Sequence, residues 1–225
     1  MTGVIDFDEP ETWPPFLRKL LIDSQKPLTQ QQMQKCTDYL KNYKIICYHC
    51  TKLTSEEISD IRKNGLLLLD EDLATKKIQM LSGFSQEEKE CLLTQNLTYE
   101  RSFAQRNNMV HFVLGKNTLT THRNGLSPFF QYWGGESMYK FFADASTLEG
   151  VNLEILKKLK ATGIPYIIKF SLDWQQSNIE SRIAKCFINQ TGSSGYSKVN
   201  IPHTDILNIF KSDSNFFTAT IGELP

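Results

Sequence analysis

Two short stretches of this chain carry side chains that can do chemistry. The first is His49-Cys50-Thr51, which closes the apolar run Ile45-Ile46-Cys47-Tyr48. Alternation along a strand puts Cys47, His49 and Thr51 on one face and Ile46, Tyr48 and Cys50 on the other. An imidazole and a hydroxyl together at a strand's end can face a ligand there. The second stretch is Tyr132-Trp133-Gly134-Gly135-Glu136. Its rings can stack on a flat ligand, its glycines let backbone approach closely, and Glu136 can stabilise positive charge as it develops. Core packing accounts for several of the neighbouring aromatics Phe129, Phe130, Trp133 and Tyr139. It does not account for Tyr, Trp, two Gly and Glu within five residues.

Other constellations are weaker. Cys47-x-x-Cys50 has the spacing of a redox pair or half a zinc site, but a redox pair opens a helix, and these cysteines fall on opposite faces of a strand. Cys36, Cys91 and Cys186 stand alone, so no second ligand pair completes a metal site. A cysteine hydrolase built from Cys50 with His111 or His203 has no support in spacing. Lys76, Lys77, Arg101 and Arg106 read as a solvated basic face that can still orient a phosphate-bearing substrate.

The elements that must position these groups are legible in part. Thr54 and Glu57 form a capping box, with Leu53 and Ile58 spaced as a hydrophobic staple, and the helix they open ends at Asn64-Gly65. Before the first strand come an extended arm with a docked Trp13, a short amphipathic helix from Phe16 to Asp23, and a second helix opened by the same capping logic at Leu28 to Met33 and running to about Asn42. After Gly65 the pattern predicts an amphipathic segment to about Met80, a helix capped by Ser85 and Glu88, and a strand from Met109 to Gly115. A helix start is expected at Ser127-Pro128, interrupted by Gly134-Gly135 at about 1 kcal/mol per glycine. Helices at Met138 to Ala145 and from Asn152 to Thr162 follow. Strands are then expected at 166–172, 183–189, 198–201, 205–211 and 216–221, with a loop at 190–196. Helices first and strands bunched late describe an α+β fold.

The order strand, His-x-Thr, sharp turn, helix, Gly65-Leu66 resembles the start of ADP-ribosyltransferase domains of the diphtheria-toxin and poly-ADP-ribose polymerase type. Their first strand ends in His-Gly-Thr or His-Gly-Ser; Cys50 stands here in place of that glycine. The resemblance implies split antiparallel sheets forming a cleft, with residues 1–43 as a helical N-terminal prefix and 44–225 as the catalytic domain. It implies NAD as substrate. His49 and Thr51 would anchor the nicotinamide ribose, the backbone beside His49 would grip the amide, and Cys50, Gly65 and Trp133 would complete the site. Tyr132 would stack on the nicotinamide ring, and Glu136 would stabilise the oxocarbenium-like state of C–N cleavage. No metal is implied. In the family the catalytic glutamate sits on a late strand. Here the late strands carry none; Glu180 and Glu223 flank them, and His203 and Asp205 lie near that place. The carboxylate is therefore Glu136 from another position, or Asp205, or the domain has lost transfer activity.

The activity so implied is ADP-ribose transfer to a protein or nucleic acid, in the setting of a bacterial toxin or phage-defence effector held inactive by an antitoxin. A silent nucleotide- or partner-binding module and an NAD glycohydrolase are the alternatives. Composition fits this reading. With 25 basic and 25 acidic residues, no global field draws the chain to nucleic acid or anionic membrane. An odd count of five cysteines fits a reducing, cytoplasmic compartment. No apolar run approaches the ~18 residues that span a bilayer.

Overall fold

A computed structural model of the chain describes residues 3–21, 29–98, 106–116, 130–135, 138, 150–179 and 194–212. The expected strands at 183–189 and 216–221, the helix start at 127–128, most of the 138–145 helix, and Glu136, Glu180, Cys186, Glu223 and Arg101 lie outside them. The described chain is α+β. Its strands are β1 (Gly3–Ile5), β2 (Tyr43–Leu53), β3 (Val110–Val113), β4 (Ile164–Asp173), β5 (Ser194–Ser197) and β6 (Ile206–Lys211). Its helices are α1 (Pro15–Leu21), α2 (Gln30–Leu40), α3 (Ser55–Asn64), α4 (Glu71–Gln79), α5 (Gln86–Thr98) and α6 (Val151–Ala161).

The strands form a single six-stranded sheet in the order β5-β3-β2-β4-β6, with β1 added parallel to the start of β2. Two separate sheets were expected. Among the described residues they are joined, but by one registered pair, Tyr48 with Val113. On its other edge β2 is laddered to β4 without a break from Lys44 to Leu53. The β-branched and aromatic run Ile45 to Tyr48 suits such a doubly covered strand.

Alternation along β2 divides two cores. Ile45, Cys47 and Leu53 pack with Leu17 of α1, Cys36 and Leu40 of α2, and Ile168 and Phe170 of β4. Ile46 and Tyr48 turn the other way, against Phe130 and Ile167. The prefix is thus built into the same core as β2, and its start is a strand: Gly3–Ile5 pairs with Tyr43–Ile45. Trp13 is buried, and its indole N–H donates to the Asp6 carbonyl at 2.5 Å. A third cluster, of Ala74, Ile78, Leu92, Ile155 and Leu159, joins α4, α5 and α6, and Trp133 and Met138 belong to it.

Two strands differ from expectation. β5 falls on Ser194–Ser197, within and just beyond the stretch read as a loop, and of the strand expected at 198–201 only Ile201 pairs, in a single bridge to Leu66. Pairing with β3 over Val110 to Val113 supplies the ladder that local composition did not suggest.

Helix α3 begins with the expected capping box: Thr54 Oγ1 accepts from Glu57 N at 3.3 Å, and Glu57 Oε2 accepts from Thr54 N at 2.9 Å. It ends at Gly65, whose φ of 82° and ψ of −165° are essentially closed to other residues. A Cβ there would lie 1.9 Å from the Ile201 carbonyl oxygen. That closeness follows from Leu66 and Ile201 exchanging backbone hydrogen bonds of 2.9 and 2.8 Å. Gly65→Ala should therefore cost at least about 3 kcal/mol, strain plus collision. Gly83→Ala, also at a φ of 82° but with nothing within 4 Å of the added carbon, lacks the collision and should cost less. Equal losses for the two in urea unfolding would refute the account.

Candidate functional site

The cleft follows from the way β2 shares its second edge. Residues Tyr43 to Ile45 are paired by β1, Tyr48 by β3, and Lys52 by a parallel bridge to Trp133. Among the described residues nothing pairs with this edge between Tyr48 and Lys52. β3 diverges there, and a cleft of about 330 Å³ opens. That volume is at the small end of ligand pockets. His49, Cys50 and Thr51 form one wall and His111 and Phe112 the opposite one. Glu57, Ile61 and Lys77 cover it from α3 and α4, and Trp133, Gly134 and Gly135 close its end.

His49 spans the divergence. Its Nδ1 lies 2.7 Å from the His111 carbonyl oxygen. A carbonyl only accepts, so Nδ1 carries the proton and Nε2 keeps its lone pair. Burial pushes the pKa down to about 4; the bond to His111 opposes this, and the nearby Lys77 charge adds to it. At neutral pH the ring is an uncharged acceptor, suited to a hydroxyl and not to a phosphate. Cys50, next to it, has a thiol that burial pushes far up, so it stays protonated. That removes the nucleophile from a cysteine–histidine hydrolase. Cys47 is fully buried on the opposite face.

The expected site residues are partly gathered. His49, Cys50, Thr51, Gly65, Trp133, Gly134 and Gly135 line this one cleft. Thr51 is buried, and its hydroxyl donates weakly to the Lys52 carbonyl at 3.4 Å. Gly65 contributes its backbone, and the close approach that excludes a side chain is to Ile201. Trp133 is 1% exposed, with its backbone N–H on the Leu159 carbonyl at 3.0 Å. Gly134, at φ 74°, lies so near Met138 that a Cβ would meet its side chain at 2.3 Å. Tyr132 is half-buried against the α4–α5–α6 cluster and is not part of the cleft lining. Trp133 belongs to that same cluster and also reaches the cleft's end, where Tyr132 does not. Glu136 lies outside the described residues. Asp205 is not in the lining; it pairs with Lys44 at 2.5 Å and accepts from Ser171 Oγ at 3.2 Å.

Of the cleft's charged groups, Lys77 and Arg106 were named from the sequence as a solvated basic face, and the role of Glu57 in the cleft was missed. Glu57 was legible as a helix cap, yet it also accepts from Trp133 Nε1 at 2.7 Å and pairs with Lys77 at 2.8 Å. Lys77 faces the cleft while Lys76 is exposed, as adjacent helix positions must diverge. Arg106 also lines the cleft. The available signal was a capping glutamate directly following a strand that ends in His-x-Thr.

No family model, curated protein or solved structure matches this chain. No helix among the described residues is long and apolar enough to cross a membrane.

The His49 environment has a consequence for stability. Its ordinary pKa is 6.5 and its folded value about 4. As pH falls, the unfolded chain takes up the proton first, so its contribution is whole above 6.5 and is lost between 6.5 and 4. His49→Gln keeps a donor for the His111 carbonyl and removes the titration. Urea unfolding across that window should give a flatter stability curve for the variant. Parallel curves would mean the ring is not held neutral.

Proposed function

We propose that this cleft is the NAD site of an ADP-ribosyltransferase that modifies a macromolecule. The observation that carries the reading is the convergence on one cleft of His49, the edge of β2 at residues 49–51 that no described residue pairs, and the Trp133-Gly134-Gly135 backbone. A neutral imidazole with a free lone pair accepts from a ribose hydroxyl. An open strand edge offers both N–H and C=O to a planar carboxamide, as a neighbouring strand would. The lining is mainly apolar, including Ile61, Leu66 and Phe112, which suits a nicotinamide ring. The cleft takes the nicotinamide–ribose end of the dinucleotide.

In the reaction the bond between ribose C1 and the nicotinamide nitrogen breaks, and its electron pair leaves with nicotinamide. The cationic ribose is then captured by an oxygen or nitrogen of the acceptor, which gives up its proton. Glu136, next in the chain after Gly135, supplies the carboxylate that stabilises the cation and takes that proton. Tyr132 is left out of the stacking role, since it is not among the residues that line the cleft; Trp133 and its two glycines are.

Labelled NAD incubated with the protein and a cell lysate should yield label on a macromolecule and free nicotinamide. Separate protease and nuclease digestion identifies the acceptor class. Glu136→Gln should lower transfer by at least about 100-fold, and His49→Ala should raise KM for NAD. Release of ADP-ribose without labelling would make the enzyme a glycohydrolase. Absence of nicotinamide release under every acceptor condition would overturn the reading.

A further inference from the structure

One carboxylate touches three walls of the cleft. Glu57 Oε2 accepts from Thr54 N at 2.9 Å and from Trp133 Nε1 at 2.7 Å, and Oε1 pairs with Lys77 Nζ at 2.8 Å. Thr54 directly follows the strand that carries His49 and Thr51. Trp133 leads directly into Gly134-Gly135, and Lys77 comes from α4. The Trp133 indole is almost fully buried, so its N–H needs an acceptor, and Glu57 is the one it has.

We propose that Glu57 is a positioning residue of this site: by fixing the Trp133 indole to the start of α3, it holds the Trp133-Gly134-Gly135 wall in register with the His49 wall.

The chain contains its own comparison. Glu88 closes a second capping box, with Ser85 N on Glu88 Oε2 at 2.7 Å and Glu88 N on Ser85 Oγ at 3.2 Å, and it too pairs with a lysine, Lys158, at 2.7 Å. The helix-capping and ion-pair parts are therefore alike. Glu88 differs in lying outside the cleft lining and in having no indole among its hydrogen-bond partners. A purely structural role would make the two glutamates behave alike. A positioning role separates them.

The kinetic half of the test rests on the transfer reaction proposed above; the exchange half does not. Amide hydrogen exchange at residues 133–135 is measured in the free protein, and kcat and KM for nicotinamide release from NAD in the same variants. Glu57→Ala and Trp133→Phe should speed exchange at 133–135 about tenfold or more. Glu57→Gln should do so less, because its amide oxygen still accepts from both N–H groups. Glu88→Ala should loosen α5 and leave 133–135 as in the parent. In turnover, Glu57→Ala and Trp133→Phe should lower kcat by about 10- to 100-fold with KM within about threefold, and Glu88→Ala should change neither. Should Glu57→Ala fail to fold, Trp133→Phe, which keeps the cap and the Lys77 pair, decides alone. Parent-like exchange at 133–135 in Trp133→Phe, or an equal kcat loss in Glu88→Ala, would overturn the proposal. If the parent protein released no nicotinamide, the transfer reading would fall, and the exchange result would still decide the role of Glu57.

Discussion

The structure depends on the backbone of β2 being satisfied in full on one side and only in pieces on the other. A buried strand must pair its N–H and C=O groups or meet water. β4 provides ten consecutive registered partners, from Lys44 to Leu53. Among the described residues the other edge is served by three short segments from distant parts of the sequence: β1, the end of β3, and Trp133. A sheet assembled this way cannot be continuous everywhere, and the interval it leaves falls at His49 to Thr51. The cleft is thus what remains when three partners are too short to cover one long strand, and it requires no separate device to open it.

The interval is held at a set width by polar groups. At one end the imidazole takes the place of a ladder bond, joining β2 to the His111 carbonyl at 2.7 Å. At the other, buried Lys52 bonds to the Lys160 carbonyl at the C-terminal end of α6, where a cation meets the negative end of the helix. Burial depresses the protonation of Lys52, with the Lys160 charge adding to it, so the carbonyl is its compensation. Glu57 spans the roof. Apolar packing could press these walls together at many spacings; hydrogen bonds at 2.7 to 2.9 Å admit few.

Much of this was legible in the sequence, for physical reasons that also explain the rest. The run Ile45 to Tyr48, the capping box at Thr54 and Glu57, and the Gly65 stop are local signals, and each sits where residue type and spacing put it. β1 is three residues long and gains its strand geometry only from Tyr43 to Ile45, some forty positions away. β5 is Ser-Gly-Tyr-Ser, turn-like in composition, and a Cβ on Gly195 would meet the Phe112 and Ile179 side chains at 2.9 Å. Pairing across such distances leaves little trace in local pattern. The site shows the same division. His49, Thr51 and Gly65 were found through spacing. Glu57 was seen only as a cap, because its second and third partners, Trp133 and Lys77, come from elsewhere in the chain.

The charges in the cleft narrow the chemistry it can support. His49 is neutral and Cys50 protonated at physiological pH, so neither offers a cation or a thiolate. Lys77 already has its counter-ion in Glu57. Beside Arg106, Asp60 and the Lys77–Glu57 pair, the walls offer a lone pair, a strand edge that no described residue pairs, and apolar surface. These suit a substrate that brings its own charge and its own leaving group, and nicotinamide bound to ribose through a positively charged ring is such a substrate. A site of this kind need not activate a nucleophile strongly. On the proposed reading it would hold a weak bond between rigid walls and meet the developing cation with one carboxylate, which would place the demand on geometry and make the residues that set the walls as consequential as those that touch the ligand.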